Sequence, residues 1–202
     1  MKYLIVVVWA VFLIGEAVAA EKQEIAKCAA KNSDAARLVC YDALARSLGV
    51  DKPKSTIVQG SGKWKLTVNR SPIDDSENVY LAVEAEEIVR SGYKTAKPML
   101  YVRCAEKKTN VFLTWDLYLG LESTEMLTRF DGAKATTDTW SISTDNSAVF
   151  VQGSDIAFAK KMMVHEKLLA QVTPYGESPV MATFKIAGLS EAIKPLRKAC
   201  GW

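Results

Sequence analysis

Hydrophobic and polar positions divide the chain into three regimes. Residues 4–14 are an unbroken apolar run behind Met1-Lys2-Tyr3, closed by Gly15-Glu16 and the small residues Ala17-Val18-Ala19-Ala20. A cationic head, a short apolar core and a small-residue exit are the pattern of a cleavable export signal over residues 1–20, and the run is too short to span a bilayer stably. From 21 to 49 the chain is alanine-rich, and Leu38, Tyr41, Ala45 and Leu48 recur at helical spacing. Asn32-Ser33-Asp34 interrupts it with residues whose short side-chain oxygens cap helix N-termini, and Gly49 suits a helix stop. Two short antiparallel helices joined at 32–34 are expected. Residues 50–61, with Pro53, Gly60 and several polar side chains, read as a linker.

Beyond residue 62 the period becomes two. Val79, Leu81, Val83 and Ala85 alternate with Tyr80, Ala82, Glu84 and Glu86, and Leu100, Val102 and Cys104 alternate with Met99, Tyr101 and Arg103. Similar segments at 62–70, 110–116, 126–130, 137–143, 148–151, 168–173 and 180–186 are separated by turn formers such as Asp131-Gly132 and Asp145-Asn146. Many short strands without regular intervening helices predict a mainly β domain over 62–202, a two-layer antiparallel β-sandwich preceded by the disulfide-linked helical hairpin. A short helix is expected at 155–163. Near the end, Pro195 removes a backbone donor, so a turn followed by a helix starting at that residue is expected.

Composition narrows the function. The chain carries 26 basic and 23 acidic residues, and removal of the signal leaves the net charge at +3; this interspersed balance offers no stripe for nucleic acid. No stable membrane insertion is expected once the signal is gone. Four cysteines in an exported chain favour cystines, and four permit three pairings. A hairpin turning at Asp34 places Cys28 and Cys40 level, so Cys28–Cys40 with Cys104–Cys200 is the expected pairing. No cofactor or metal is expected, because the single histidine, His165, lies outside any ligand spacing and the cysteines are expected to be oxidised. His165 reads as a surface residue, and no Gly-x-Ser-x-Gly elbow or phosphate-binding glycine loop is present. Asp74-Asp75, and Asp131 with Asp138 and Asp145, are acidic spots; turn hydrogen bonding is their commoner use, and no catalytic residue is assigned. Arg129 and Asp131 share a strand face, with Trp140 on the strand expected to pair with theirs. These three are the candidate partner-binding residues, weighed against an ion pair within the sheet beside a core tryptophan.

An ordered set of motifs adds to this reading: Arg37-Leu38-Val39-Cys40-Tyr41-Asp42, Ser71-Pro72-Ile73-Asp74-Asp75-Ser76, Tyr101-Val102-Arg103-Cys104, Thr128-Arg129-Phe130-Asp131, Trp140-Ser141-Ile142-Ser143-Thr144-Asp145, Thr173-Pro174-Tyr175-Gly176, Phe184-Lys185-Ile186-Ala187-Gly188-Leu189 and Cys200-Gly201-Trp202. Together they resemble the VasI/TagO family of type VI secretion-associated proteins. The resemblance implies a periplasmic accessory, not an enzyme, whose partners are other secretion-apparatus or cell-envelope proteins. Two other readings compete: a peptidoglycan-binding or cell-wall-modifying protein, and a periplasmic inhibitor or immunity protein.

Overall fold

The computed structural model describes residues 22–50 and 60–202. The expected signal and most of the expected linker lie outside the described residues. The chain divides into two compact units, one on each side of residues 52 and 53.

The first unit is a helical hairpin, α1 (22–29) and α2 (Asp34–Leu48). Ser33, in an extended conformation, accepts the Ala36 N–H at 3.2 Å, satisfying one of the donors a helix start leaves open. Gly49 closes α2 in the left-handed region at φ 69°, where a side chain would be disfavoured, and the Val50 N–H returns to the Ala45 carbonyl. Cys28–Cys40 joins the two helices with Cα atoms 5.3 Å apart. Leu38, Val39 and Leu48 remain exposed, so the cystine rather than a packed apolar face holds the hairpin. Closing a loop of a dozen residues this way is worth about 3 kcal/mol in the chain-entropy model.

The second unit is built on strands β1 (Lys65–Arg70), β2 (Glu77–Glu84), β3 (Val89–Ser91), β4 (Lys94–Ala96), β5 (Met99–Ala105), β6 (Lys108–Thr114), β7 (Ser123–Phe130), β8 (Thr136–Ile142), β9 (Ala148–Val151), β10 (Lys167–Val172) and β11 (Val180–Lys185). Nine of them form one antiparallel sheet in the order β1-β2-β5-β6-β9-β8-β7-β10-β11, and β3 with β4 makes a separate hairpin. Register follows the alternation in the sequence: Val79, Leu81 and Val83 lie opposite Cys104, Val102 and Leu100, all on the buried face. Each such aliphatic side chain contributes about 1.5–3 kcal/mol by leaving water. The sheet bends back on itself until its ends approach, with Ala85 bridging Phe184 and the Trp64 indole donating to the Ile186 carbonyl at 3.0 Å. It does not close into a barrel. Trp64, Trp115, Trp140 and Phe184 are the bulkiest side chains of the enclosed core.

Helix α3 (Asp155–Met162) follows β9, and its Asp155 carboxylate accepts the Val111 N–H of β6 at 2.6 Å. A single turn, α4 (Leu189–Ala192), leads into α5 (Lys194–Cys200), where Pro195 stands in the first turn and forfeits no helical bond. Cys104–Cys200 ties α5 to the buried face of β5, with Cα atoms 5.8 Å apart. Gly60-Ser61-Gly62 differs from the flexible linker expected there: Ser61 is buried, and the Gly62 and Gly188 backbones press against each other. The β3–β4 hairpin had no counterpart among the expected strands.

Candidate functional site

Asp131 follows the last residue of β7 with φ 47°, a left-handed turn conformation that aspartate tolerates better than most residues. One carboxylate oxygen accepts the Glu166 and Lys167 N–H groups at 3.1 and 2.8 Å, and the other accepts His165 Nδ1 at 2.9 Å. These bonds, the histidine's foremost, hold the Asp131 pKa below the ordinary carboxylate value. The imidazole also sits against Phe130, with ring centroids 5.0 Å apart. Asp131 and His165 each stood out in the sequence, yet their 34-residue separation concealed their pairing. Among the described residues no hydroxyl or thiol hydrogen-bonds to His165. The pair braces the β7–β8 turn onto the start of β10.

The three residues of the expected Arg–Asp–Trp surface lie in different surroundings. Arg129 is exposed, but its guanidinium folds back over its own turn to the carbonyls of Ala133 and Gly132, at 2.9 and 3.3 Å, rather than pairing with Asp131. Trp140 is 2% exposed and packs edge-on against Phe158 in the core. Its strand does pair with β7, opposite Thr124, but a tryptophan at an inward position of a half-buried strand presents no ring to a partner. The remaining acidic residues also serve local structure or solvent. Asp74 accepts the Ser76 N–H and hydroxyl at 3.1 and 2.6 Å, Asp145 accepts from Ser143 and Ser147, and Asp138 is an exposed strand residue. Among the described residues no three His, Cys, Asp or Glu side chains gather into a metal-binding group.

Two aromatic features emerge only in three dimensions. On the outer face of the sheet, Tyr101, Phe112 and Phe150 stack across β5, β6 and β9 with centroids 4.8 Å apart. The Arg103 guanidinium lies 5.2 and 5.8 Å from the two phenylalanine rings, and the Asn110 side-chain carbonyl holds it at 3.2–3.3 Å. This ladder shields the outer surface of the sheet. The second feature is at the loops. Tyr175, in a Pro174–Glu177 turn, meets Tyr118 edge-to-face at 5.8 Å, and its N–H donates to the Tyr118 carbonyl. Both rings are more than half exposed, as is the neighbouring Leu121. Gly92, at the tip of β3–β4, lies against the Glu177 side chain, which places the fully exposed Tyr93 near the same turn. The place of Tyr175 between the turn formers Pro174 and Gly176 is the local signal in the sequence that marks it as a loop residue.

These features define a mainly antiparallel β protein held by two cystines, with tyrosines displayed on its loops. The chain belongs to the type VI secretion system VasI/EvfG family, whose model matches residues 27–202. No curated protein matches it significantly. Among solved structures, it is similar to the crystal structure of invasion associated protein B from Bartonella henselae, at 14% identity, over 71% of this chain and 97% of that one, with a TM-score of 0.49.

Proposed function

We propose that this chain is a non-enzymatic accessory of the type VI secretion system that works in the periplasm by docking onto other proteins of the apparatus. The observation that carries the reading is the family match over residues 27–202. Two cystines fit an oxidising compartment. The candidate acid–base residues are engaged in bracing turns, which supports a role without turnover. The contact surface we assign is the loop end bearing Tyr118, Leu121 and Tyr175, because exposed, rigidly held tyrosines are frequent anchors of protein interfaces. Arg129 and Asp131 are assigned to the turn they brace.

Deletion of the gene tests the reading. Secretion of the tube protein and killing of neighbouring cells are expected to fall and to return with the wild-type copy. A Tyr118→Ala/Tyr175→Ala copy is expected to accumulate normally and restore neither, whereas His165→Ala restores both. Normal secretion by the deletion strain sinks the proposal. Release of fragments from purified sacculi by the protein would replace it with a wall-modifying activity.

A further inference from the structure

Side chains on one face of a sheet form rows that run from strand to strand, and one row of the outer face is interrupted. Register sets Phe150 of β9 beside Phe112 of β6, Phe112 beside Tyr101 of β5, Tyr101 beside Ala82 of β2, and Ala82 beside Lys65 of β1. The three aromatic rings stack, with Tyr101 within 9° of parallel to Phe112. Ala82 then ends the stack with a methyl group. The second face of the Tyr101 ring meets no other ring and no cation among the described residues, because the Arg103 guanidinium lies over the two phenylalanines instead. Lys65 stands two strand spacings from Tyr101, about 9–10 Å, which leaves room for one flat ring in van der Waals contact with both. The result is an open depression of about 380 Å³, walled by Tyr101 and Lys65, floored by Ala82 and rimmed by Thr67, Asn69 and Tyr80.

The lining states what fits. Among the described residues the Thr67, Tyr80 and Tyr101 hydroxyls and the Asn69 carboxamide have no hydrogen-bond partner. An aromatic side chain from a partner would stack on Tyr101 but would cover these groups with hydrocarbon and leave them unpaired. A pyranose with equatorial substituents meets both demands. Its axial C–H bonds make both faces apolar, one for the Tyr101 ring and one for the aliphatic stem of Lys65, and its hydroxyls lie at the rim. Lys65 does not call for an anion, because its ammonium pairs with Glu84 at 3.1 Å. The Asn69 carboxamide offers a donor and an acceptor side by side, the complement of an acetamido group. We propose that this slot binds a β-linked glycan of N-acetylated amino sugars, with one ring held between Tyr101 and Lys65 as the next rung of the stack. The source to which this commits is the glycan strand of the cell wall, the polymer of that chemistry in the compartment proposed above. The site is separate from the tyrosine loops and goes beyond docking to the apparatus: one face of the sheet would hold the protein to the wall without turnover.

The probe is chitotetraose, compared with cellotetraose, which lacks the acetamido groups, and with the α-linked maltotetraose, each added at millimolar concentration to the purified protein. Amide shifts in NMR are expected to concentrate at Thr67, Asn69, Tyr80, Ala82 and Tyr101, with saturation passing from the Tyr101 ring protons to the sugar C–H groups. Binding should be at least tenfold weaker for maltotetraose, whose bent chain does not fit a slot one ring thick, and several-fold weaker for cellotetraose. Ala82→Phe supplies the missing rung from the chain itself, at a partly exposed position, and should abolish binding in a folded protein. If that variant does not fold, Asn69→Ala decides, since it should bring chitotetraose down to the affinity of cellotetraose. The wild-type protein should also pellet with purified sacculi and release no fragments, while the variant stays in solution. The proposal is overturned by an absence of shifts at these residues, by wild-type binding in a folded Ala82→Phe or Asn69→Ala protein, by equal binding of the tetramers, or by chitotetraose binding without sacculus binding. It also fails if the same amides respond to N-acetyl-tyrosinamide and not to the sugar, which would assign the slot to an aromatic side chain of a partner protein. Sacculus binding through this slot together with normal secretion by the deletion strain would sink the functional reading and leave the glycan site standing.

Discussion

At the scale of single residues, close packing and unmet hydrogen bonds set the largest effects. A Cβ on Gly188, whose φ is +86°, would lie 2.5 Å from the Ser61 carbonyl carbon and 2.6 Å from the Gly62 nitrogen. Backbone cannot swing aside as a long side chain does, so Gly188→Ala is expected to cost at least about 2 kcal/mol, a fall in Tm of roughly 4–8 °C for a domain of this size. Gly176 also has positive φ but faces open space, so Gly176→Ala is expected to cost only about 1 kcal/mol, from backbone strain. Thermal unfolding of both variants checks the pair. The tryptophans make a second contrast. The buried Trp115 indole nitrogen has no hydrogen-bond partner, whereas that of Trp64 donates to Ile186. Trp64→Phe is therefore expected to be about 1 kcal/mol more damaging than Trp115→Phe in urea unfolding, because it removes a buried hydrogen bond and leaves the Ile186 carbonyl with the Leu189 N–H alone. Asp131 is one contributor to the pH dependence, with Asp74, Glu84, Glu86 and Asp145 shifted the same way. Its folded pKa is lowered, first by His165 and then by the Lys167 N–H. Its stabilisation is therefore present above the unfolded carboxylate value near 3.9 and disappears as pH falls through the lower folded value. Wild type should exceed Asp131→Asn in Tm at pH 7, and the gap should close in melts taken progressively below pH 4.

At the scale of elements, most strands of the main sheet were legible from alternation, because β2, β5, β6, β10 and β11 have one buried face and a period of two, whereas β8 and β9 bury no alternating set. The capped start of α2 and its glycine stop were legible for a local reason as well, since backbone groups at helix ends must be satisfied by nearby residues. The β3–β4 hairpin was not. Three-residue strands hold too few positions to show a period, and Val89 and Ala96 are buried only because β3 meets β11. The cystine between Cys104 and Cys200 spans 96 residues and ties the terminal helix to an interior strand. In the chain-entropy model such a loop is worth about 4.7 kcal/mol. Cys104→Ser/Cys200→Ser should therefore lower the Tm of the β unit by roughly 10–20 °C, far more than His165→Ala, whose side chain is partly exposed on a turn. Scanning calorimetry of the two proteins distinguishes the effects.

At the scale of the whole β unit, the sheet is held bent by a seam as well as by its core. Glu86 pairs with Lys185 and Lys63 across that seam, Glu84 pairs with Lys65 and Lys97, and Glu87 caps Thr183. Removing the cap by Glu87→Ala should raise amide exchange selectively at Thr183 and cost about 1 kcal/mol, the value of a single hydrogen bond; exchange followed by NMR reads both. The seam also explains why the site was only half legible. Alternation assigned the strands, cysteine number with the hairpin's geometry led to the pairings, and the turn residues marked Asp131 and Asp145, all from information within a few residues of each position. Which strands are neighbours, and therefore that His165 meets Asp131, that Trp140 is enclosed and that Tyr175 joins Tyr118, depends on contacts between residues far apart in the chain. Those contacts arise only when the sheet bends to bury its apolar face, because hydrophobic burial is non-directional and selects no partner until the backbone's hydrogen bonds have set the register.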